Sequence, residues 1–278
     1  MRFRKSIRFI WVFAFIYLLL LATLAQSARP QSNRGEPSAE VRNKLFKQVM
    51  ADMDEFRECV QQAEGGISAA QENTYIEEVD LNRDGIQEYQ VELSGCGCAA
   101  HNCSLYLYRR NGQGFEQILD GSGMGLEVLR TSTNGYADVR VGARETAATE
   151  SETTYKFDGK QYRESKTMLV HLETGETKPA SRRVQFKRGS SSATITGRVS
   201  IALSDTLLIG ARTGQVMTVQ LTAPRKAVRF LVMSPTTRDL VADNARDWTG
   251  TLQETGDYHI IVDSDERPST YSLTISIK

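Results

Sequence analysis

Residues 205–221 read DTLLIGARTGQVMTVQL, with a short apolar run on each side of a turn that contains glycine. In the second run Met217, Val219 and Leu221 alternate with polar residues, which is the period of a strand with one buried face. The same alternation returns at 228–232 and at 271–277. Together with neighbouring apolar runs this makes about seven short strands, a pattern for which a C-terminal β-sandwich over 186–278 is the natural fold.

A different pattern fills residues 38–170. Ser38 is a candidate helix cap, and the apolar residues after it recur at three- and four-residue spacing until Gly65 and Gly66. Beyond these glycines the period becomes two, with Gly, Asn and Asp turns between the runs. We therefore predict a mainly β protein with an N-terminal α+β domain, made of one helix and an antiparallel β-meander. Residues 171–185 are charged and lack periodicity, and we interpret them as a linker.

The N-terminus has the features of an export signal. Four basic residues precede an apolar run at 9–25, and small residues follow it. This pattern predicts a signal peptide over 1–27, cleaved after Ser27, followed by a polar tether over 28–37. We expect a periplasmic or secreted protein that makes no membrane contact after cleavage. The alternative is an inner-membrane anchor, because seventeen helical residues at about 1.5 Å each come close to spanning a bilayer.

The charge distribution separates the two halves and argues against nucleic acid as a partner. Residues 38–170 contain 14 basic and 22 acidic side chains, whereas 186–278 contain 11 and 9. A domain with a net charge of −8 repels a phosphate backbone and attracts cations. Calcium is among the cations that it would attract.

An even number of cysteines in an exported chain indicates disulfide bonds, and four thiols allow three pairings. The four are Cys59, Cys96, Cys98 and Cys103. His101 lies among the last three and suggests zinc as a rival interpretation. However, three thiols and an imidazole within eight residues leave little backbone to surround a tetrahedral ion. We favour disulfides, and a bridge from Cys59 into the 96–103 cluster would staple the predicted helix to that segment.

The stretch VDLNRDGIQEY (79–89) spaces oxygen donors as a calcium loop does. The donors are the side chains of Asp80, Asn82, Asp84 and Glu88 and the backbone carbonyl of Ile86. A calcium ion takes about six to eight oxygens, and Gly85 would allow the sharp turn that makes them converge. Val91 occupies the position of the last EF-hand ligand, so the loop is not an EF-hand. We predict a calcium site, and the alternative is a hairpin turn built from the same residue types.

The segment DGIQEYQVEL…YRRNGQGF is echoed by NGYADVRVGA…YKFDGKQY about 48 residues later, which indicates a repeated β unit. With its DxNxDGxxE loop, the region 74–165 resembles FG-GAP/VCBS-type repeats, and that resemblance implies calcium binding through the positions named above. The second copy departs from the motif. It has Arg130, Ser132 and Asn134 in the places of the first three ligands. We expect no metal there.

The C-terminal segments GARTGQ (210–215), WTG (248–250) and TGDY (255–258) resemble inhibitors of g-type lysozyme and bacterial pre-peptidase C-terminal domains. Both groups are β-sandwich modules of exported proteins. The resemblance implies a loop that plugs an enzyme cleft, formed here by Thr255, Gly256 and Tyr258. The alternative is that Gly256 makes a turn and Tyr258 packs into a corner of the sandwich.

No catalytic constellation is readable in the chain. Its three histidines are far apart in sequence, and it contains no HExxH, GxSxG or P-loop motif. The glycine-rich DGSGMGL (120–126) lacks GxGxxG spacing, and we interpret it as a loop. We therefore expect a non-catalytic binding protein of the bacterial envelope whose partner is a lysozyme or another envelope protein. The alternatives are a calcium-dependent cell-surface or carbohydrate-associated module, or an accessory part of an envelope hydrolase.

Overall fold

The computed structural model describes residues 35–265 and 267–278. The predicted signal peptide, and the tether up to residue 34, lie outside the described residues. Within the described part, no helix combines the length and the apolar character needed to span a bilayer. The described chain is mainly β, with its helices at the N-terminal end and antiparallel sheets in both halves.

Three helices open the N-terminal half where the sequence predicts one. They are α1 (Ala39–Asp52), α2 (Asp54–Gln62) and α3 (Gly66–Glu72). The side chain of Ser38 accepts a hydrogen bond from the Val41 N–H, as expected for a cap. The prediction of a single helix is wrong. Met53 has an extended backbone, with φ −124° and ψ 92°, and this ends α1. The apolar spacing hides this break, since α1 and α2 bury their side chains against the same sheet.

Two sheets follow the helices. The first contains β1 (Thr74–Val79), β2 (Glu88–Leu93), β3 (Cys98–Ala99), β4 (Asn102–Asn111) and β5 (Gly114–Gly123). The second contains β6 (Gly125–Thr133), β7 (Tyr136–Arg144), β8 (Thr149–Phe157), β9 (Tyr162–His171) and β10 (Thr177–Pro179). Pairing is antiparallel throughout, and β1-β2-β4-β5 has the same topology as β6-β7-β8-β9. This shared topology agrees with the internal repeat seen in the sequence.

The first sheet is the middle layer of the N-terminal half. Along β4, Leu105 and Leu107 point into a core shared with the second sheet, whereas Tyr106 and Tyr108 point into a core shared with the helices. Because successive side chains of a strand face opposite ways, one strand contributes to both cores. The result is three layers in the order helices, first sheet, second sheet.

The glycine-rich stretch at 120–126 is not a loop, and that interpretation is wrong. Strand β5 runs as far as Gly123, and β6 begins at Gly125. A Cβ atom on Gly123 would lie 2.3 Å from the carbonyl oxygen of Gly142. Glycine is therefore needed here because the chain crosses from the first sheet to the second in close contact with β7.

The C-terminal half is a β-sandwich, as predicted. Its third sheet, in spatial order, is β11 (Ser181–Arg183), β13 (Asp205–Ala211), β18 (Gly256–Ser264), β15 (Val228–Met233) and β16 (Leu240–Ala245). Its fourth sheet is β12 (Ser192–Val199), β19 (Ser269–Ile277), β14 (Val216–Thr222) and β17 (Asp247–Thr251). The alternating residues Met217, Val219 and Leu221 pack in one core with Leu207 and Ile209 of the facing sheet.

The segment predicted to be a linker, 171–185, contains two short strands. Strand β10 extends the second sheet, and β11 pairs in parallel with β13 of the sandwich. Two further hydrogen bonds join the halves, from Thr149 Oγ1 to the carbonyl of Ala202 (2.7 Å) and from Lys178 Nζ to that of Leu203 (3.1 Å). The connecting segment is thus tied to both halves by backbone and side-chain contacts.

Both disulfides are present, and no cysteine is free among the described residues. Cys59 of α2 pairs with Cys96 at a sequence separation of 37, and Cys98 pairs with Cys103 at a separation of 5. The first bridge fixes α2 to the segment after β2, and the second closes the tight β3–β4 hairpin. The zinc interpretation therefore does not apply, because the thiols are consumed in disulfides.

Removing the two bridges should have unequal effects. Replacing Cys59 and Cys96 by serine should lower the free energy of unfolding by about 4 kcal/mol, and replacing Cys98 and Cys103 by about 2 kcal/mol, because the longer loop loses more entropy when it is closed. Urea unfolding of both variants measures the difference. Equal losses of unfolding free energy in the two variants, or free thiols in the unreduced wild-type protein, would contradict the assigned disulfide pairing.

Candidate functional site

The predicted calcium loop connects β1 to β2 and is closed by its own side chains. The Asp80 carboxylate accepts hydrogen bonds from the N–H groups of Arg83 (2.6 Å) and Gly85 (3.2 Å). Asp84 accepts from the N–H of Ile86 at 2.6 Å. Gly85 has φ +81°, so the turn expected at this position is present. These bonds hold the Asp80 and Asp84 side chains on one short loop.

Glu88 starts β2 and is almost completely buried, with 3% of its surface exposed. One carboxylate oxygen accepts the Leu81 N–H at 2.9 Å, and the other accepts the Tyr136 hydroxyl at 3.4 Å. The pKa of Glu88 is raised to about 7, mainly by burial and in smaller part by the charges of Asp84 and Asp80, while the bond from Leu81 acts in the opposite direction. The charges of Asp80 and Asp84 therefore act on the buried Glu88 carboxyl.

The structure places the predicted ligands on the β1–β2 loop and at the start of β2 without forming a metal cage. In the parts of the chain that the structure covers, no three His, Cys, Asp or Glu side chains are grouped closely enough to hold a metal ion. Asn82 contributes to loop closure, since its amide donates to Asp84 at 2.9 Å and its oxygen accepts the Asp84 N–H at 3.0 Å. The side chain of Ile86 is exposed, as expected if only its carbonyl has a role. Calcium binding remains a prediction.

The second copy of the repeat has a tight turn in place of this loop. Asn134, with φ +49°, donates its amide hydrogen to the carbonyl of Phe157 at 2.8 Å. Asp138, the counterpart of Glu88, is buried and accepts the Thr133 hydroxyl at 2.7 Å. The two copies thus share a buried acid at the start of the second strand, and only the first has a loop with acidic side chains beside it.

The second candidate site is the loop between β17 and β18, which ends at Thr255 and leads into Gly256, the first residue of β18. Tyr258 is 1% exposed, and its hydroxyl both accepts the Glu254 N–H and donates to the Glu254 carbonyl, each at 3.0 Å. This is the corner packing that the sequence offered as the alternative. Tyr258 therefore supports the loop from inside, and Thr255 is the part of the TGDY motif that is exposed to solvent.

Neighbouring loops hold the 252–257 segment in place. Thr255 Oγ1 accepts the Thr213 N–H at 3.1 Å, which joins the loop to the β13–β14 turn. The Glu254 carboxylate accepts the Thr236 N–H and the Thr237 hydroxyl, both at 2.8 Å, from the β15–β16 loop. These bonds lower the pKa of Glu254 because they favour its charged form. Three loops are thereby tied into one surface, which we call the loop end.

Charged groups flank the loop end. Arg183 donates two hydrogen bonds to Asp257, at 2.7 and 2.5 Å, and they lower the pKa of that carboxyl. Next to them, Arg238 Nη1 lies 2.6 Å from Nε2 of His259. Burial lowers the pKa of His259, and the positive charge of Arg238 lowers it further. Sequence reasoning did not identify Arg183 and Arg238 as neighbours of the TGDY motif, because they lie on β11 and on the β15–β16 loop, far from it in the chain.

Comparison with known proteins gave matches among solved structures only. No protein-family model matches the chain, and no curated protein matches it. The periplasmic g-type lysozyme inhibitor PliG of Aeromonas hydrophila is 25% identical, with 35% of this chain and 96% of the inhibitor covered and a TM-score of 0.33. PliG of Salmonella Typhimurium is 24% identical, with 35% and 97% covered and a TM-score of 0.30.

The pre-peptidase C-terminal domain of a Bacillus anthracis collagenase is 15% identical, with 35% of this chain and 94% of the domain covered and a TM-score of 0.28. These neighbours belong to the two groups that the C-terminal sequence resembles. That predicted resemblance is confirmed. The resemblance of residues 74–165 to FG-GAP/VCBS-type repeats is not tested by these matches and stays a prediction.

Removing the Tyr258 hydroxyl should loosen the loop end. Tyr258→Phe leaves the Glu254 N–H and carbonyl without their partner, which should lower the free energy of unfolding by about 1–2 kcal/mol. Urea unfolding measures this loss, and faster hydrogen exchange at the Glu254 amide locates it. Tyr155→Phe, in the N-terminal half, is the control and should leave that amide protected. Unchanged exchange in Tyr258→Phe would show that the loop does not depend on this hydroxyl.

Proposed function

We propose that this protein is an exported, non-catalytic binding protein of the bacterial envelope whose sandwich inhibits a g-type lysozyme through the loop end. The observation that carries the proposal is the fixed position of the loop at Thr255 and Gly256. Tyr258 anchors the loop from the core, and Thr213 and Glu254 attach it to the two neighbouring turns. The resemblance of the TGDY segment to the inhibitors' cleft-plugging loop suggests the partner.

A fixed loop suits inhibition because a rigid segment loses little conformational freedom when it enters a cleft. Each rotamer-rich side chain that becomes immobile on binding costs about 0.5–1.5 kcal/mol, and a preformed loop avoids part of that cost. Gly256 has φ +149°, and a Cβ there would lie 2.7 Å from Pro235. The glycine therefore permits a backbone shape in which the loop rests on the neighbouring turn.

An inhibitor of this kind would act in the periplasm or outside the cell. The signal-like N-terminus and the two disulfides support an oxidising compartment. An accessory role in an envelope hydrolase is the alternative, in which the loop end would contact the enzyme without blocking its cleft.

A lysis assay tests the inhibitory role. The wild-type protein should slow the clearing of a bacterial cell-wall suspension by g-type lysozyme. Thr255→Arg adds bulk and positive charge to the loop, and should weaken inhibition by roughly tenfold or more, equivalent to about 1.4 kcal/mol. Thr146→Arg, at an exposed threonine of the β7–β8 loop in the N-terminal half, is the matched control and should inhibit like the wild type. Equal inhibition by both variants, or none by the wild type, would contradict the proposal.

We propose calcium binding by the β1–β2 loop as a second function, supported by the spacing of Asp80 and Asp84 on one short loop and by their charges acting on buried Glu88. The donor set is oxygen only, which suits calcium. The side chains of Asp80, Asn82, Asp84 and Glu88 and the carbonyl of Ile86 would hold the ion, which would supply the positive charge that offsets the repulsion among the three acids. Its role would be to stabilise the loop.

Thermal unfolding tests this second function. Millimolar calcium should raise the melting temperature by several degrees relative to chelated protein, because an ion that binds only the folded state stabilises it by about 1–2 kcal/mol. The double variant Asp80→Asn with Asp84→Asn keeps the loop's hydrogen-bond acceptors and should lose the response. Asp158→Asn removes an acid from the β8–β9 turn of the second copy, away from the loop, and should retain the response. Identical wild-type curves with and without calcium would show that the loop is a turn alone.

A further inference from the structure

The outer face of the fourth sheet is covered by hydroxyl groups. Alternate positions of its four strands carry Ser192, Thr194, Thr196, Thr218, Thr222, Thr249, Thr251, Thr270, Ser272, Thr274 and Ser276. Register aligns them into rows across the strands, for example Thr196 with Ser272 and Ser272 with Thr222. Each hydroxyl can both donate and accept a hydrogen bond, so the face is an ordered polar array.

One end of this face is concave. A cavity of about 830 Å³ opens between the ends of β12, β14 and β19. Its hydroxyl lining comes from the row Thr196, Ser272 and Thr222 and from Thr270. We call it the hydroxyl groove. Its volume lies within the roughly 300–1,000 Å³ that small-molecule sites occupy.

The hydroxyls of the groove are grouped together, and none of them is paired with another side chain of the described residues. On the same face, Thr194 pairs with Thr274 and Thr218 pairs with Thr249, each at 3.0 Å between the hydroxyl oxygens. The side-chain oxygens of Thr196, Thr222, Thr270 and Ser272 form no hydrogen bond within residues 35–265 and 267–278. Four hydroxyls are thus grouped in a hollow with their hydrogen-bonding capacity available to a ligand.

Two further features of the groove indicate the chemistry of its ligand. Arg198, opposite Thr270 in the strand register, is exposed and has no acidic partner in the described chain. Its guanidinium can bind a carboxylate through two parallel hydrogen bonds. Pro224 and the threonine methyl groups provide apolar surface beside the hydroxyls. A ligand that fits would carry hydroxyls, apolar C–H faces and a negative charge.

We infer that the hydroxyl groove binds an oligosaccharide whose sugar rings carry a carboxylate substituent. Hydroxyls of the rings would bond to the row Thr196, Ser272 and Thr222, and the carboxylate would pair with Arg198. A β-linked glycan laid across the strands fits the array, because one sugar ring extends over nearly the same distance as the strand spacing of about 4.8 Å. Successive rings would therefore meet successive strands.

The residue composition of the groove favours a sugar ligand over a protein partner. Protein interfaces are centred on buried aromatic and arginine anchors and are depleted in serine. The one aromatic residue that lines the groove, Tyr271, is buried, and its hydroxyl donates to Asp205 in the facing sheet at 2.6 Å. The groove also lies at the opposite end of β14 from the loop end, so both sites could be occupied together.

Glycan binding by the full chain tests the inference with two probes. One is a tetrasaccharide of alternating N-acetylglucosamine and N-acetylmuramic acid, which carries carboxylates, and the other is a neutral N-acetylglucosamine tetrasaccharide. Calorimetry should show tighter binding of the acidic probe. Thr222→Val with Thr270→Val removes two hydroxyls while keeping side-chain shape and strand preference, and should weaken binding of both probes about tenfold. Arg198→Gln should weaken the acidic probe about tenfold and leave the neutral one unchanged.

The control removes hydroxyls from the same face outside the groove. Thr249→Val with Thr251→Val, on β17, should bind both probes like the wild type. The inference is overturned if neither probe binds, if the groove and control variants behave alike, or if the groove variants change only the oligomeric state, which would identify a second copy as the occupant. Lysozyme inhibition by the loop end is measured in a separate lysis assay. A failure of glycan binding therefore does not affect the proposed inhibition, and a failure of inhibition does not affect glycan binding.

Discussion

Strand β4 buries side chains on both of its faces, and the arrangement of the N-terminal half depends on this. Leu105 and Leu107 must be buried against another layer on one side of the strand. Tyr106 and Tyr108 must be buried against a different layer on the other side. Burial of apolar surface contributes about 25 cal/mol per Å², so neither face can be left to solvent without a large loss of stability. The helices cover one face and the second sheet covers the other. The Cys59–Cys96 bridge fixes the helical layer in place.

The same layering decides where the acidic loop lies. Because the second sheet packs against the first, Tyr136 of β7 reaches Glu88 of β2. Glu88 is thereby enclosed, and the charges of Asp80 and Asp84 act on a carboxyl that is largely shielded from water. The loop thus combines an exposed turn with a buried acid, which a free hairpin would not do.

The sandwich separates its two candidate surfaces along a single strand. At one end of β14, Thr213 is tied to the 252–257 loop, and at the other end Thr222 lines the hydroxyl groove. Seven residues at about 3.3 Å each place the two ends of β14 roughly 20 Å apart. A partner enzyme at the loop end and a glycan in the groove would therefore occupy distinct surfaces of one rigid module.

The sequence by itself determined the strand-rich architecture, the cysteine chemistry and the position of the acidic loop, because alternation, thiol count and turn residues are local signals. It could not reveal the break at Met53, since two helices that pack on one sheet preserve a single apolar spacing. It also could not pair the cysteines or place Arg183 beside Asp257, because those contacts join residues far apart in the chain. Tyr258 shows the limit most clearly. Its motif is compatible with a tyrosine that contacts a partner and with a tyrosine that is buried in a corner of the sandwich. The packing of the two sheets buries it. The hydroxyl row of the groove likewise exists only because strand register aligns Thr196, Ser272 and Thr222 across three strands.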